Sequence, residues 1–182
     1  MTDMLIVVDM QRDFLTGALG TKEGQAIVPA VRARIRRAKE EGTAVVFTLD
    51  THEENYMDTR EGRFLPVPHC IRGTEGWTLH PEIAAECARG MRSFEKPTFG
   101  STALTHHVCE QAAVKGAIGG KGMTVELCGV CTDICVVSNA LLIKAALPEA
   151  DVIVDSALCA GVTPDKHAAA LETVRSCQID VR

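Results

Sequence analysis

Short strand-like runs that alternate with helix-like patterns are the feature that most constrains the fold of this chain. The strand-like runs, most of them apolar, lie at 5–9, 44–50, 91–95, 123–130 and 150–155. The helix-like patterns lie at 24–41, 81–88, 101–115, 133–147 and 164–177. This alternation predicts an α/β protein with a mainly parallel sheet, of about six strands, covered on both faces. No internal repeat or linker interrupts residues 1–182, which predicts a single domain.

Charge limits the classes of partner. The 182 residues carry a net charge of -5, with no long run of one sign. Nucleic-acid and anionic-membrane partners require clustered Lys and Arg. The densest basic cluster, within 32–39, falls on a helix-like pattern, where a solvated face is the simpler interpretation. We therefore expect neither nucleic acid nor a membrane as a partner.

The amino-terminal stretch MTDMLIVVDM bears on localisation. It has no basic region, and its apolar run LIVV is too short for a signal peptide or a membrane span. This predicts a cytoplasmic protein. In that compartment most of the eight cysteines should be reduced thiols, several of them simply buried.

Chemically reactive residues follow four of the predicted strands. Asp9 ends the first strand, and Asp50 ends the second, with His52 two residues further on. Lys96 follows the third strand, and the cysteine-rich stretch 128–136 follows the fourth. In parallel α/β sheets, ligands bind at the carboxyl ends of the strands. We therefore expect these residues to meet at one rim of the sheet.

The stretch CGVCTDICV at 128–136 allows several interpretations. A zinc knuckle on Cys128 and Cys131 would need a second pair of similar ligands, and no other C-x-x-C occurs. A thioredoxin-like pair should open a helix, whereas Cys128 lies inside a strand pattern and is expected to be buried. Cys135 falls in the first turn of a predicted helix, where the dipole and the free N–H groups favour a thiolate. It is therefore either a nucleophile or a buried helix cysteine.

A thiolate nucleophile needs a proton acceptor and a group that stabilises its charge. Asp9 can accept the proton, and Lys96 can hold the thiolate and Asp9 in an ion-paired cluster. The backbone N–H groups of Cys131 and Cys135 can form an oxyanion hole. The alternative interpretations are that Asp9 caps a turn and that Lys96 is a surface lysine.

The segment 51–78 shows no periodicity and is rich in Gly, Pro and polar residues, and a loop of this length in a compact domain is usually functional. It supplies His52 and His69, which with Asp50 suit a mononuclear site for Zn²⁺ or a similar ion, open to a substrate atom. Glu61 is a possible fourth ligand. The alternative is that Asp50 and His52 form a local hydrogen-bonded turn.

The order of these motifs resembles the isochorismatase-like cysteine hydrolases, and within them the nicotinamidase branch. The motifs are Asp9 in LIVVDMQRDF, Asp50-x-His52, His69 in PVPHC, Lys96 in EKPTFGS and Cys135 in GVCTDICV. The resemblance covers about residues 5–160. It implies a three-layer α/β/α fold, an Asp-Lys-Cys catalytic triad of Asp9, Lys96 and Cys135, and a homo-oligomer, either a dimer or a tetramer.

The resemblance also implies details of the site. It implies a cis peptide bond between Val130 and Cys131 that aims the Cys131 N–H into the oxyanion hole. It carries the metal site over to the three ligands named above, with Glu61 as a possible further ligand and Zn²⁺, or else Fe²⁺ or Mn²⁺, as the ion. The implied reaction is the hydrolysis of nicotinamide through a thioester on Cys135, with the metal orienting the ring nitrogen.

One departure from the nicotinamidase pattern concerns the ring pocket. Those enzymes typically carry a Trp three residues before the loop His, where this chain has Pro66, and its only Trp is Trp77. The aromatic residues left to pack a ring are Phe14, Tyr56, Phe64 and Phe99. Another small amide, of the ureido or carbamoyl type, is therefore an alternative substrate. A catalytically silent binding domain is a third possibility.

Overall fold

A six-stranded parallel sheet forms the centre of the computed structural model, which describes residues 2–88 and 90–182. Its strands are β1 (Met4–Val8), β2 (Ala44–Asp50), β3 (Arg92–Lys96), β4 (Thr124–Val130), β5 (Asp151–Ala160) and β6 (Asp180–Val181). They lie in the order β3-β2-β1-β4-β5-β6, and every neighbouring pair is parallel. The predicted α/β class and parallel sheet are confirmed.

Helices connect the strands. The α-helices are α1 (Arg12–Leu15), α2 (Lys22–Glu40), α3 (Arg60–Phe64), α4 (Pro81–Ala84), α5 (Thr102–Val114), α6 (Val137–Ala146) and α7 (Pro164–Ser176). A π-helical turn at Thr132–Val136 leads from β4 into α6, so the predicted helix over 133–147 begins with a widened turn. Short 3₁₀ turns occupy Tyr56–Asp58 and Ile118–Gly120.

Helices cover both faces of the sheet because the side chains of each strand alternate between the faces. On β1, Leu5 and Val7 pack in one apolar cluster with residues of α2 and α4. Ile6 and Val8 pack in the other cluster, with residues of α5, α6 and α7. All of β1 is buried, which explains its uninterrupted apolar sequence. The three-layer α/β/α arrangement is therefore present.

Several boundaries differ from the sequence prediction because short elements leave no periodic pattern. The segment 51–78 was predicted to be a loop but contains the turn Tyr56–Asp58 and the five-residue helix α3. The two-residue strand β6 was not predicted. β5 continues to Ala160, beyond the predicted 150–155, with an irregular register against β4.

Two further observations bear on the class of protein. No helix in residues 2–88 and 90–182 is both long and apolar enough to cross a bilayer. All eight cysteines are free thiols, as the sequence predicted for most of them. The thiols of Cys128 and Cys135 are buried, and that of Cys131 is partly buried.

The close approach of β1 and β4 requires glycine at position 129. Gly129 pairs with Val8 in the β1–β4 register. Its φ is 118°, and a Cβ added there would lie 2.1 Å from the carbonyl oxygen of Val8. Since β1 leads into Asp9 and β4 leads into the turn that contains Cys135, Gly129 helps to set the separation of those two residues.

Gly129→Ala should therefore lower the free energy of unfolding by roughly 3 kcal/mol or more, because both backbone strain and a backbone clash oppose the added methyl group. Gly122→Ala is the matched control. Gly122 also has a positive φ, of 77°, but nothing lies within 4 Å of the added Cβ, so its loss should be about 1 kcal/mol. Urea denaturation of both variants measures the difference, and equal losses would contradict the clash.

Candidate active site

Four adjacent strands bring the predicted catalytic residues to one rim. Lys96 ends β3 and Asp50 ends β2, while Asp9 follows β1 directly. Cys135 lies in the π-helical turn that follows β4. These strands are neighbours in the order β3-β2-β1-β4. Sequence reasoning from strand ends therefore placed these residues at the correct edge of the sheet.

The ammonium group of Lys96 connects the other three residues. Its Nζ lies 2.7 Å from Asp9 Oδ2, 3.3 Å from Asp50 Oδ1 and 3.4 Å from Cys135 Sγ. Lys96 is only 1% exposed, which rules out the alternative of a surface lysine. Burial alone would lower the pKa of Lys96, but the charges of Asp9 and Asp50 and the hydrogen bond to Asp9 raise it, so the side chain stays protonated.

The carboxylate of Asp9 is held by Thr48 on β2. The hydroxyl of Thr48 donates to Asp9 Oδ1 at 2.7 Å and accepts from the Asp9 N–H at 3.2 Å. Asp9 has a φ of 47°, uncommon for a residue other than glycine, so the chain turns sharply after β1. Among the described residues, none donates a hydrogen bond of good geometry to the other oxygen, Oδ2, which lies 2.7 Å from Lys96 Nζ. It is therefore the oxygen open to a further proton.

Burial sets the protonation of both reactive groups. It raises the pKa of Asp9, and Lys96 offsets this only in part. Burial, together with the charge of Asp9, also raises the pKa of the Cys135 thiol well above its ordinary value. These two effects oppose the helix start, which favours a thiolate. The resting thiol is therefore protonated at neutral pH, and attack requires a base.

The three predicted metal ligands converge beside this cluster. Asp50, His52 and His69 are buried, and one candidate ligand atom from each lies within 4.8 Å of the others. Asp50 Oδ2 is 2.9 Å from His52 Nε2 and 3.5 Å from His69 Nε2. Burial raises the pKa of Asp50, but the two histidines and Lys96 outweigh it and bring the pKa well below its usual range.

These residues fit a divalent ion. His69 Nδ1 lies 2.8 Å from the carbonyl oxygen of Val67, which can only accept, so Nδ1 carries the hydrogen and Nε2 is left with its lone pair. His52 Nε2 is buried, and no described residue makes a hydrogen bond to it despite its closeness to Asp50. Neighbouring ligand atoms of a tetrahedral zinc site lie about 3.4 Å apart. Two nitrogens and one oxygen at these separations can hold Zn²⁺ or a similar ion.

Glu61 on α3 lies at the edge of the same site. Its Oε1 is 3.7 Å from His52 Nε2 and 3.9 Å from His69 Nε2. Burial raises the pKa of Glu61 above its ordinary value, and the charge of Asp50 adds to this, while the histidines oppose it. The structure thus brings the possible fourth ligand within reach of the three buried ones.

The four aromatic candidates for a ring pocket divide into two pairs. The Tyr56 ring lies 4.7 Å from His52 and 5.0 Å from His69, and the Phe14 ring lies 5.5 Å edge-on from His69. These two border the metal-binding cluster. By contrast, Phe64 is 76% exposed, with Arg60 over its ring, and Phe99 is 44% exposed. A role for this second pair in substrate binding stays a prediction.

The cysteine stretch has the backbone that the family resemblance implied. The peptide bond between Val130 and Cys131 is cis. The carbonyl oxygen of Cys131 accepts the N–H groups of Ile134 and Val136, at 3.1 Å each, and so starts the π-helical turn that carries Cys135. The oxyanion hole formed by the N–H groups of Cys131 and Cys135 stays a prediction.

Sequence reasoning missed the neutral residues that hold this site. Thr48 binds Asp9, and the buried Asn139 donates to the carbonyl oxygen of Cys135 at 2.8 Å. Gln11, also buried, binds the backbone of Asp50. Asn139 lies four residues after Cys135 on the same helical path, which is the one local signal that could have found it.

Comparison with known proteins identifies the family. The model of the isochorismatase domain matches residues 3–182. The chain belongs to the isochorismatase family. A nicotinamidase/pyrazinamidase of Mycobacterium tuberculosis is 29% identical to this family member, over 97% of this chain and 96% of that protein.

Solved structures of amidases resemble this isochorismatase-family protein along almost its whole length. A pyrazinamidase of Pyrococcus horikoshii in complex with zinc has a TM-score of 0.80 at 31% identity, covering 98% of this chain and 97% of that one. N-carbamoylsarcosine amidase of Thermoplasma acidophilum has a TM-score of 0.77 at 27% identity, covering 100% and 96%. The predicted family, fold and enzyme class, a hydrolase acting on amide bonds, are confirmed.

Thr48→Val keeps the shape of the side chain and removes the hydroxyl that orients Asp9. Because the carboxylate can then rotate away from its present position, we expect kcat for amide hydrolysis to fall by about 10- to 100-fold. Thr48→Ser, which keeps the hydroxyl, should retain most of the activity. Steady-state ammonia release measures both variants.

Thr43→Val is the matched control for this prediction. Thr43 is also a buried threonine, just before β2, and its hydroxyl donates to the carbonyl oxygen of Thr2 at 3.0 Å, at the opposite end of the strand. A loss of kcat in Thr43→Val as large as that in Thr48→Val would contradict a specific role for the Asp9 contact.

Proposed function

We propose that this protein is a metal-assisted cysteine amidohydrolase that converts nicotinamide to nicotinate and ammonia. The observation that carries this proposal is the position of Lys96 Nζ, within 3.4 Å of an acid oxygen of Asp9, an acid oxygen of Asp50 and the Cys135 sulfur. One cluster thereby contains a base, a cation and a thiol. The named relatives support the choice of amide.

The first half of the proposed reaction forms a thioester. Asp9 Oδ2 takes the proton of the Cys135 thiol while the sulfur attacks the amide carbon. The carbonyl oxygen gains the negative charge, which the N–H groups of Cys131 and Cys135 would stabilise. The proton on Asp9 then passes to the amide nitrogen, the C–N bond breaks and ammonia leaves, so that the acyl group remains on Cys135.

The second half of the reaction returns the enzyme to its starting state. Asp9, again a carboxylate, takes a proton from a water molecule as that water attacks the thioester carbon. The C–S bond breaks, the sulfur recovers a proton from Asp9, and the carboxylic acid is released. Lys96 remains protonated throughout and stabilises negative charge on whichever of Asp9 and Cys135 carries it.

Asp50, His52 and His69 would hold the divalent ion, with Glu61 as the possible fourth ligand. Zn²⁺ is the proposed ion, with Fe²⁺ and Mn²⁺ as alternatives. When bound, it would supply a Lewis-acid contact that orients the ring nitrogen of the substrate. Tyr56 and Phe14 then supply apolar ring surface beside these ligands.

A ureido or carbamoyl amide is the second candidate substrate. Pro66 stands where nicotinamidases typically carry a Trp, so one stacking surface for a pyridine ring, worth about 1 kcal/mol, is replaced. The likeness to an N-carbamoylsarcosine amidase supports this alternative. The third possibility, a catalytically silent domain, is not proposed, since such a domain would not need Asp9, Lys96 and Cys135 together and the chain belongs to a family of hydrolases. A cytoplasmic location and a homo-oligomer, dimer or tetramer, stay predictions.

Ammonia release from nicotinamide by the purified protein tests the proposal. We expect activity in the wild type, loss of at least about 1,000-fold in Cys135→Ala because the nucleophile is absent, and a marked loss after metal removal that Zn²⁺ restores. Cys159→Ala is the control for the loss of a buried thiol, because Cys159 lies in β5 and its sulfur donates to the carbonyl oxygen of Leu127 at 3.9 Å.

The outcomes separate the candidates. Activity on nicotinamide that survives in Cys135→Ala would contradict the thioester mechanism. No activity on nicotinamide, together with hydrolysis of an N-carbamoyl amide that depends on Cys135, would favour the second candidate. Hydrolysis of neither class would contradict both candidate substrates.

The acid limb of the pH profile reports on Asp9. Asp9 acts as a base only when it is ionised, and burial raises its pKa, so kcat/KM should fall as pH decreases through that raised value. We expect the limb above pH 4, where an ordinary aspartate with a pKa of about 3.9 would still be largely ionised.

Thr48→Val removes a hydrogen bond that favours the carboxylate of Asp9, so the acid limb of this variant should move to higher pH. An unmoved limb in Thr48→Val would contradict the assignment to Asp9.

A further inference from the structure

A buried glutamine holds the backbone of Asp50 at the end of β2. Gln11 is fully buried. Its Nε2 donates to the carbonyl oxygens of Asp50 and Trp77, at 2.8 Å each, and its Oε1 accepts from the Asp50 N–H at 2.7 Å. Both donor hydrogens and the oxygen of the amide are thereby used. All three bonds go to backbone atoms.

The side chain of Gln11 makes the hydrogen bonds to Asp50 that a further residue of β1 would make if the strand continued. The register of β1 and β2 stops at Val8 opposite Thr48. The N–H of Thr51 donates to β3 on the other side, at 2.9 Å. Because successive strand residues direct their backbone groups to opposite neighbours, the N–H and carbonyl of Asp50 face the side where β1 has already ended. The side-chain amide of Gln11 pairs with them there.

The same amide reaches the segment that follows His69. Gln11 binds the carbonyl oxygen of Trp77, and Trp77 Nε1 donates to the hydroxyl of Thr51 at 2.9 Å. The chain after His69 therefore closes back on the residue next to Asp50. The buried side chain of Gln11 thus joins Asp50 to the chain segment that follows His69, so it connects two of the three candidate metal ligands.

We propose that Gln11 is a positioning residue of the metal site. By holding the backbone of Asp50, it directs Oδ2 toward His52 and His69 while Oδ1 accepts from Lys96. The inference rests on the metal site of the proposed function. Partners that orient metal ligands commonly contribute 10- to 100-fold to metal affinity. Gln11→Leu should therefore weaken Zn²⁺ binding by about tenfold or more.

Asn139→Leu is the matched control. Asn139 is also a fully buried amide that makes three bonds to backbone atoms: it accepts from the Ser101 N–H and donates to the carbonyl oxygens of Cys135 and Phe99. None of these bonds reaches a segment with a candidate metal ligand. Both variants lose a buried amide, so a general loss of stability is common to them, whereas a loss of Zn²⁺ affinity is specific to Gln11.

The test is the Zn²⁺ affinity of the metal-stripped full-length proteins, measured by competition with a chromophoric chelator at a temperature where circular dichroism shows all of them folded. Gln11→Glu is the second variant in case Gln11→Leu does not fold, because it keeps the size and an acceptor oxygen but loses both donor hydrogens. We expect both Gln11 variants to bind about tenfold or more weakly, and Asn139→Leu to stay within about threefold of the wild type.

Each outcome decides a different point. Folded Gln11 variants with the wild-type affinity, or an equal loss in Asn139→Leu, would overturn the positioning role alone and leave the proposed function in place. A wild type that binds no stoichiometric Zn²⁺ would overturn the metal site of the proposed function and this inference with it. Amide hydrolysis through Cys135 would still be judged separately, by ammonia release.

Discussion

The architecture of the site depends on one buried ammonium group. Lys96 is withdrawn from water, and a buried charge is tolerated only when opposite charges and hydrogen bonds compensate it. Asp9 and Asp50 supply that compensation from the ends of two other strands. The carboxyl ends of β1, β2 and β3 must therefore lie close together at one edge of the sheet, and the parallel arrangement of these neighbouring strands places them there. The thiol of Cys135 completes the surroundings of the same ammonium group.

Asp50 makes the acid–base cluster and the metal-binding cluster a single unit. One of its oxygens accepts from Lys96, and the other faces His52 and His69. A movement of this carboxylate would disturb both clusters at once. This explains why Gln11 binds both backbone groups of Asp50, while the N–H of the next residue, Thr51, donates to β3 on the other side.

Asp9, Asp50, Lys96 and Cys135 could be predicted from sequence because each stands at, or shortly after, the end of a recognisable strand. Thr48 and Gln11 could not, since each makes its contact with a partner 39 residues away. A neutral residue inside a strand or before a short helix shows no local sequence pattern that indicates a hydrogen-bond partner so far along the chain. The same reasoning applies to the fold: long buried strands were predicted, whereas α3 and β6 are too short to show a period.

The protonation of Cys135 depends on two opposed effects, and it restricts the chemistry. A helix start favours a thiolate, but full burial and the charge of Asp9 favour the thiol. In the proposed mechanism, Asp9 therefore takes the thiol proton as the sulfur attacks, which leaves a protonated acid beside the new bond. Burial raises the pKa of Asp9, which makes the carboxylate a stronger base for the thiol proton than an ordinary aspartate. A nitrogen leaving group needs that proton in order to depart. The electrostatics of the buried cluster therefore match the cleavage of an amide, whichever ring or chain the amide carries.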